Sequence, residues 1–208
     1  MNEQTYTFMD RGEREVTLRP EMTPTVARMV AARRRELVFP LRWFSIPNVF
    51  RYERPQKGRL REHWQLNADI FGVEGIEAEA EIVALAHRIM TDLGAHEHDF
   101  EIRVNDRKIL SSILEELNVD DVTERAVVRL LDAKDKLSDF DQKIEVLLGQ
   151  DKGARFLQKL ASVSSTASLE KLQMILNLMG VHNIVIDTSI VRGFDYYTGI
   201  VFEVFDTS

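Results

Sequence analysis

The chain has 208 residues, no cysteine, 44% hydrophobic residues and a formal net charge of −7. That length supports a sizeable core in one or two domains; the missing cysteines exclude disulfides and thiolate metal sites and fit a reducing, cytoplasmic setting. The acidic balance excludes a nucleic-acid platform over the whole surface, and no apolar run approaches the ~20 residues of a membrane span.

The first residues, MNEQTYTFMD, show no basic end followed by an apolar stretch, so a secretory leader is not expected. Residues 5–9 and 15–18 read as β-strands joined at Asp10-Arg11-Gly12, a turn in which Gly12 can supply positive φ. Residues 23–35 read as a helix, with Thr23 as N-cap, Pro24 at the first helical position, and Val26, Met29 and Val30 on one face. The arms of a long hairpin follow at 41–52 and 63–71. Residues 77–93 form an amphipathic helix with Ala80, residues 82–85, Ile89 and Leu93 inward, ended by Gly94. Residues 99–104 (DFEIRV) alternate as a strand. From about Asn105 to Met179 the pattern turns helical, at 108–117, 123–131, 139–148, 154–160 and 168–179, and residues 184–187 and 200–205 return to strand. This order predicts an α+β fold. Residues 1–104 and 183–208 would form a β-rich core, and residues 105–182 a helical insertion.

Charge is spread unevenly. Between Arg28 and Arg61, ten Arg or Lys stand against Glu36 and Glu53 alone. Such a basic segment on an acidic chain suits phosphate. Arg33, Arg34 and Arg35 are read as a helix end, where cations complement the dipole. On the hairpin, Arg51 and Glu53 share a face, as do Gln65, Asn67 and Asp69, while Arg59 and Arg61 rise from the loop. One sheet face is therefore expected to carry Arg51, Glu53, Gln65 and Asp69. It suits a ligand with phosphates at one end and donors at the other, such as ATP plus an amino acid. No GxGxxG or GxxxxGK[ST] occurs, so ATP would be held in neither the Rossmann nor the P-loop manner. Taken alone, the arginines read as ion-pair partners of Glu53, Glu62 and Asp195. His96 and His98 flank Glu97 without a third ligand, so they read as a polar turn and no metal ligand is assigned. His63 is placed near the site, His87 and His182 in structural positions.

The stretch FRYERPQKGR…HWQLNADIFG closely resembles motif 2 of class II aminoacyl-tRNA synthetases in its histidyl-tRNA synthetase form. Residues 192–199 (RGFDYYTG) resemble that family's histidine signature, and residues 18–23 (LRPEMT) resemble its loop for the substrate's amino group. Order and spacing agree, and the match runs over nearly the whole chain. The resemblance implies an antiparallel class II sheet flanked by helices, holding ATP on strands with arginines. It also implies histidine–tRNA ligation: histidine and ATP give histidyl-adenylate, and the histidyl group then passes to the 3′ end of tRNA(His). Mg²⁺ would bridge the ATP phosphates, and full-length members are homodimers.

By the same resemblance, Arg51 grips the α-phosphate and the substrate carboxylate, and Glu53 accepts from the adenine amino group. Arg59 reaches the ATP phosphates, and Arg192 approaches the α-phosphate from the other side. Glu21, Thr23 and Gln65 hold the α-amino group. Asp69 and Tyr197 meet the imidazole, with Tyr196 lining the pocket. Many relatives carry Glu where this chain has Asp69, which shifts the ring or calls for a water. A regulatory paralogue that partners ATP phosphoribosyltransferase is the alternative reading, and a pseudo-synthetase module that senses uncharged tRNA a third; the retained site residues favour the ligase. Family members start earlier, with the dimer-forming motif 1, and continue past Phe205 into motif 3 and an anticodon-binding domain. The chain is thus expected to be a catalytic-domain fragment that ligates poorly or not at all alone, with apolar surface exposed around residues 44–50 and 200–205.

Overall fold

A computed structural model describes residues 5–54, 58–134, 137–190 and 198–208. Arg192, Tyr196 and Tyr197 lie outside the described residues. The chain divides into two units, Met1–Glu74 and Gly75–Ser208.

The first unit opens with an antiparallel pair, β1 (Thr7–Met9) and β2 (Glu15–Thr17). The Asp10 carboxylate closes their turn. It accepts the N–H groups of Gly12 and Arg14 at 2.8 and 3.0 Å and pairs with the Arg14 guanidinium at 2.7 Å. With those amides captured, the positive φ falls on Glu13 (58°) and not on the expected Gly12. Helix α1 (Thr23–Ala32) buries Val26 and Val30 but leaves Met29 about half exposed. Its N-cap is Met22, without a side-chain cap, so Thr23 is already helical and not the cap expected. The helix ends at Arg33, which puts Arg34 and Arg35 beyond its last turn. Strands β3 (Leu41–Ser45), β4 (Asn48–Phe50), β5 (Glu62–Trp64) and β6 (Asn67–Phe71) complete the unit, with β3 antiparallel to β6 and β4 antiparallel to β5.

The second unit begins with α2 (Ile76–Asp92) and β7 (Phe100–Asp106). Five helices follow: α3 (Arg107–Glu116), α4 (Asp121–Asp132), α5 (Phe140–Leu148), α6 (Gln150–Ser162) and α7 (Ala167–Leu178). Strands β8 (Ile184–Ile186) and β9 (Ile200–Asp206) end it, in the sheet order β8-β7-β9. β9 runs antiparallel to β7 from Phe100 opposite Asp206 to Asp106 opposite Ile200. β8 is parallel to β7. A parallel neighbour cannot be reached by a tight turn, and the five helices supply the crossover. They share a core with the sheet: Phe100, Ile102 and Val104 of β7 are buried in one cluster with Leu114, Val127, Ile144, Phe156, Leu169 and Leu172. Among the described residues, Asp106, Asp120 and Thr166 cap the starts of α3, α4 and α7, each accepting a backbone N–H of the first turn.

Two expectations about burial fail. On α2 the inward stripe is narrower than its periodicity suggested, with Ala80 and Val83 buried but Leu85 and Leu93 exposed. Leu93 stands at the C-cap, past the last turn facing the core. On β9 the apolar run is largely covered, because Val201 is buried and Ile200 and Phe202 pack against the core. Phe44 and Ile46 are exposed as expected, while Val49 between them and Arg51 is wholly buried. Among the described residues, no helix is long and apolar enough to cross a membrane.

Candidate functional site

Residues 41–51 and 61–71 pair as the two arms of one hairpin in a single register. Ser45 stands opposite Asn67 in the β3–β6 ladder, and Asn48 stands opposite Trp64 in the β4–β5 ladder. Three residues are passed on each arm between these pairs, so neither arm carries an extra residue. The ladder lapses at Ile46 and Pro47, where proline has no N–H to donate, but the Gln65 N–H still reaches the Pro47 carbonyl at 3.1 Å. Past β4 the pairing continues, with the Arg51 N–H on the Arg61 carbonyl at 2.9 Å.

Directly paired residues share a face, and faces alternate along each arm. One face therefore carries Trp43, Ser45, Val49 and Arg51 from the first arm and His63, Gln65, Asn67 and Asp69 from the second. These are buried or half-buried. The other face carries Phe44, Ile46, Trp64 and Leu66, exposed by 74, 55, 68 and 47%. Arg42, Asn48 and Glu62 share that outer face, while the inner one sets polar side chains beside Trp43 and the wholly buried Val49, so several polar groups are covered while large apolar ones stay exposed.

The segment before α1 is laced to the first arm. The Phe50 N–H donates to the Arg19 carbonyl at 2.9 Å, and Arg19 Nε donates to the Asn48 carbonyl at 2.7 Å. Arg51 Nε donates to the Pro20 carbonyl at 3.0 Å. That contact ties Arg51 to the residue preceding Glu21, which is itself only 7% exposed. The Thr23 hydroxyl, released from capping, donates to Asn67 Oδ1 at 3.3 Å, and Asn67 Nδ2 donates to the Asp69 carboxylate. Burial pushes the Asp69 carboxyl above its ordinary range, and the hydrogen bond from Asn67 offsets only part of that.

Toward the loop, Glu53 accepts from Arg59 at 3.3 Å, while its backbone carbonyl accepts from Arg61 Nε at 3.0 Å. The ion-pair reading thus holds for Arg59, whereas Arg51 goes to a backbone carbonyl. A cavity of about 370 Å³ opens here, lined by Arg51, Glu53, Gly58, Arg59, Leu60 and His63. A larger cavity of about 590 Å³ is lined by Glu21, Arg28 and Phe50 among others. Arg19 and Pro20 line it too, so Glu21 borders this cavity while Arg51, Glu53 and Arg59 border the smaller one.

The structure thus gathers Thr23, Gln65, Asp69 and Arg51 along one face, with Glu21 beside Pro20 and with Glu53 and Arg59 at the loop end. Three residues of interest escaped the sequence reading. Asn67 was visible as part of an alternation but had no assigned part, and it links Thr23 to Asp69. Ser45 lies on the polar face through its pairing with Asn67. Asn105 is 1% exposed on β7, and its amide donates to the carbonyls of Thr188 and Ile190 at 3.1 and 2.8 Å. Nothing in its immediate sequence signals that contact.

Among the described residues no group of three His, Asp or Glu is placed to hold a metal ion. The rings of His96 and His98 stack 5.4 Å apart, and Asp99 ties the turn together by accepting the His96 N–H. Among the described residues lining the cavity over Arg51 and Arg59, the carboxylate is Glu53, already paired with Arg59. This donor set does not fit a protein-held Mg²⁺.

The family model described as Histidyl-tRNA synthetase matches residues 1–208. Among curated relatives, a histidine–tRNA ligase from Leptospira biflexa is 42% identical over 100% of this chain and 52% of its own length. One from Natronomonas pharaonis is 40% identical over 99% of this chain and 52% of its own length. The chain spans about half the length of the curated relatives it matches. Of solved structures, an ATP phosphoribosyltransferase regulatory subunit/histidyl-tRNA synthetase from Bacillus halodurans has a TM-score of 0.83 at 21% identity, covering 100% of this chain and 58% of that one. A histidyl-tRNA synthetase from a Nostoc species has a TM-score of 0.75 at 21% identity, covering 96% and 52%. At that identity the likeness is one of fold.

Proposed function

Because the chain belongs to the histidyl-tRNA synthetase family, we propose that it carries the histidine- and ATP-handling part of a histidine–tRNA ligase. The histidine carboxylate attacks the α-phosphorus of ATP, the bond to pyrophosphate breaks, and histidyl-adenylate forms. A hydroxyl at the tRNA 3′ end then displaces AMP from the acyl carbon. Both partners in the first step are anions, so the site must neutralise and align them.

The observation that carries this reading is the inward polar face of the hairpin, graded along its length. At one end Asp69 sits in the Thr23–Asn67–Asp69 chain of hydrogen bonds. At the other, Arg51 is pinned to the Pro20 carbonyl beside a buried Glu21. In this reading Asp69 takes the imidazole, Glu21, Thr23 and Gln65 take the ammonium, and Arg51 takes the carboxylate and α-phosphate. Arg59 leaves Glu53 for the ATP phosphates, freeing Glu53 to accept from adenine. Arg192, Tyr196 and Tyr197 join the proposal on sequence grounds. Any Mg²⁺ would arrive with the ATP phosphates, and no step is assigned to it. Residues 105–182 as an insertion, a homodimer, tRNA(His) as partner and a cytoplasmic location belong to the same proposal.

The test is histidine-dependent exchange of pyrophosphate into ATP by the protein that carries this chain. Exchange with histidine and not with other amino acids is the expected result. Histidine binding with no exchange would sink the ligase reading and favour the regulatory paralogue.

A further inference from the structure

Two polar atoms on the inward face are shut off from solvent and have no hydrogen-bond partner among the described residues: the Ser45 hydroxyl and Gln65 Oε1. Their neighbours are occupied, since Thr23 donates to Asn67 and Asn67 donates to Asp69. A buried hydroxyl without a partner is costly to the ligand-free fold. Ser45 faces Asn67 directly, one same-face step from the Trp43–Asp69 pair. In the other direction the next step is Pro47 and Gln65, joined by the Gln65 N–H. It therefore sits between the position read as taking the imidazole and the position read as taking the ammonium. Side chains one diagonal step apart on such a face can reach a common group.

We infer that Ser45 is a further specificity-determining contact, its hydroxyl meeting a ring nitrogen of the bound histidine. The inference rests on the histidine reading above. A neutral imidazole has one nitrogen that donates and one that accepts, and a hydroxyl can serve either. Hydrogen-bonding sites reject look-alike rings because the wrong ligand leaves site groups unpaired. Ser45 is in that unpaired state before any ligand arrives, so a ring nitrogen relieves it and a ring without nitrogen does not. An ordinary structural hydroxyl contributes to the fold with or without ligand. Ser45 should do the opposite, costing the free protein and helping the complex.

The experiment compares parent, Ser45→Ala and Ser45→Thr by calorimetric titration with histidine and with β-(2-thienyl)alanine, alongside thermal unfolding without ligand. Ser45→Ala should weaken histidine binding about three- to tenfold, the size of one neutral hydrogen bond. Binding of the thienyl analogue should stay unchanged, and the ligand-free melting temperature should hold or rise. Ser45→Thr, which keeps the hydroxyl, should retain histidine affinity within about threefold. Unchanged histidine affinity in Ser45→Ala, equal losses for both ligands, equal losses in both variants, or a lower ligand-free melting temperature in Ser45→Ala would each overturn the inference. A parent that binds no histidine overturns both this inference and the functional reading beneath it. A parent that binds histidine while Ser45→Ala matches it overturns only the inference.

Discussion

Asn105 donates a side-chain N–H to the carbonyl of Ile190 at 2.8 Å, across 85 residues of chain. Its other N–H reaches the Thr188 carbonyl at 3.1 Å, and its Oδ1 accepts the Asp106 N–H at 2.8 Å. Every hydrogen-bonding direction of the side chain but one lone pair is used. Beside it, Arg103 pairs with Asp187 at 3.1 Å and lies over the Phe205 ring at 4.2 Å. The chain leaving β8 is therefore tied down twice before residue 191. At the other side of that segment, the Gly199 carbonyl accepts the Arg107 N–H at 3.1 Å.

Replacing Asn105 with Ala strands two buried backbone groups, the Ile190 carbonyl and the Asp106 N–H, and the half-buried Thr188 carbonyl. The expected loss is about 2–4 kcal/mol of unfolding free energy, from two to three hydrogen bonds with their partners left behind. Asn105→Asp should be no better, because a carboxylate cannot donate to two carbonyls. Urea unfolding reads both variants. A shift below about 0.5 kcal/mol, the range of plain surface substitutions, would contradict this account.

Asp69 and Asp187 should give stability opposite slopes against pH. Burial raises the Asp69 carboxyl above 3.8 despite the bond from Asn67. An acid raised by folding contributes stability below its unfolded pKa that is lost as pH rises through the folded value. For Asp187 burial pushes upward too, but hydrogen bonds from Ser189 and Arg103 outweigh it and leave the carboxyl below 3.8. Its contribution is present above the unfolded value and lost as pH falls through the folded one. Melting temperatures measured from pH 3 to 8 should show Asp69→Asn flattening a decline above 3.8 and Asp187→Asn flattening a decline below it. The same slope in both comparisons would show that the two environments are misassigned.

Arg51→Ala should lower histidine-dependent pyrophosphate exchange by about 100-fold or more, the scale of losing one preorganised charge stabiliser. Arg51→Lys should recover little, because an ammonium does not reproduce the forked contact. Arg192→Ala is expected to fall on the same scale while histidine binding falls less. Exchange within a few-fold of the parent would remove the substituted arginine from catalysis.

Gly153 sits where α6 meets α5, and a Cβ there would come within 2.6 Å of the Glu145 Cα. The obstacle is backbone, which cannot swing aside. Gly153→Ala should cost about 1–3 kcal/mol by overpacking, although alanine in a helix interior would otherwise gain up to about 1 kcal/mol. Chemical denaturation gives the sign at once. A stabilised variant would mean that the two helices separate readily.

Strand positions on the hairpin were legible because Gln65, Asn67 and Asp69 alternate, and alternation states the face whatever the register. The helices after Asn105 were legible from Leu and Ile spacing, with ends displaced by a residue or a few. Other features depend on partners distant in sequence. Thr23 looks like a cap until Asn67 is available to take its hydroxyl. Gly12 looks like the turn's left-handed residue until Asp10 claims the amides around it. The parallel pairing of β8 with β7 spans the whole helical stretch and leaves no local mark. Ser45 carries no signal of its own, since it becomes polar-face lining only by standing opposite Asn67.

The unbroken register of the hairpin makes the count of residues matter more than their spelling. Inserting or deleting one residue within 41–50 or 62–71 reverses which side everything beyond it points to. Beyond that point such a change would carry the polar set outward and bring Phe44, Ile46, Trp64 or Leu66 toward the ligand. Substitutions at the outward positions disturb one side chain each. Proteins that share this face are therefore expected to differ freely in letters along both arms while keeping their lengths locked, and to confine changes of length to the stretch that joins the arms.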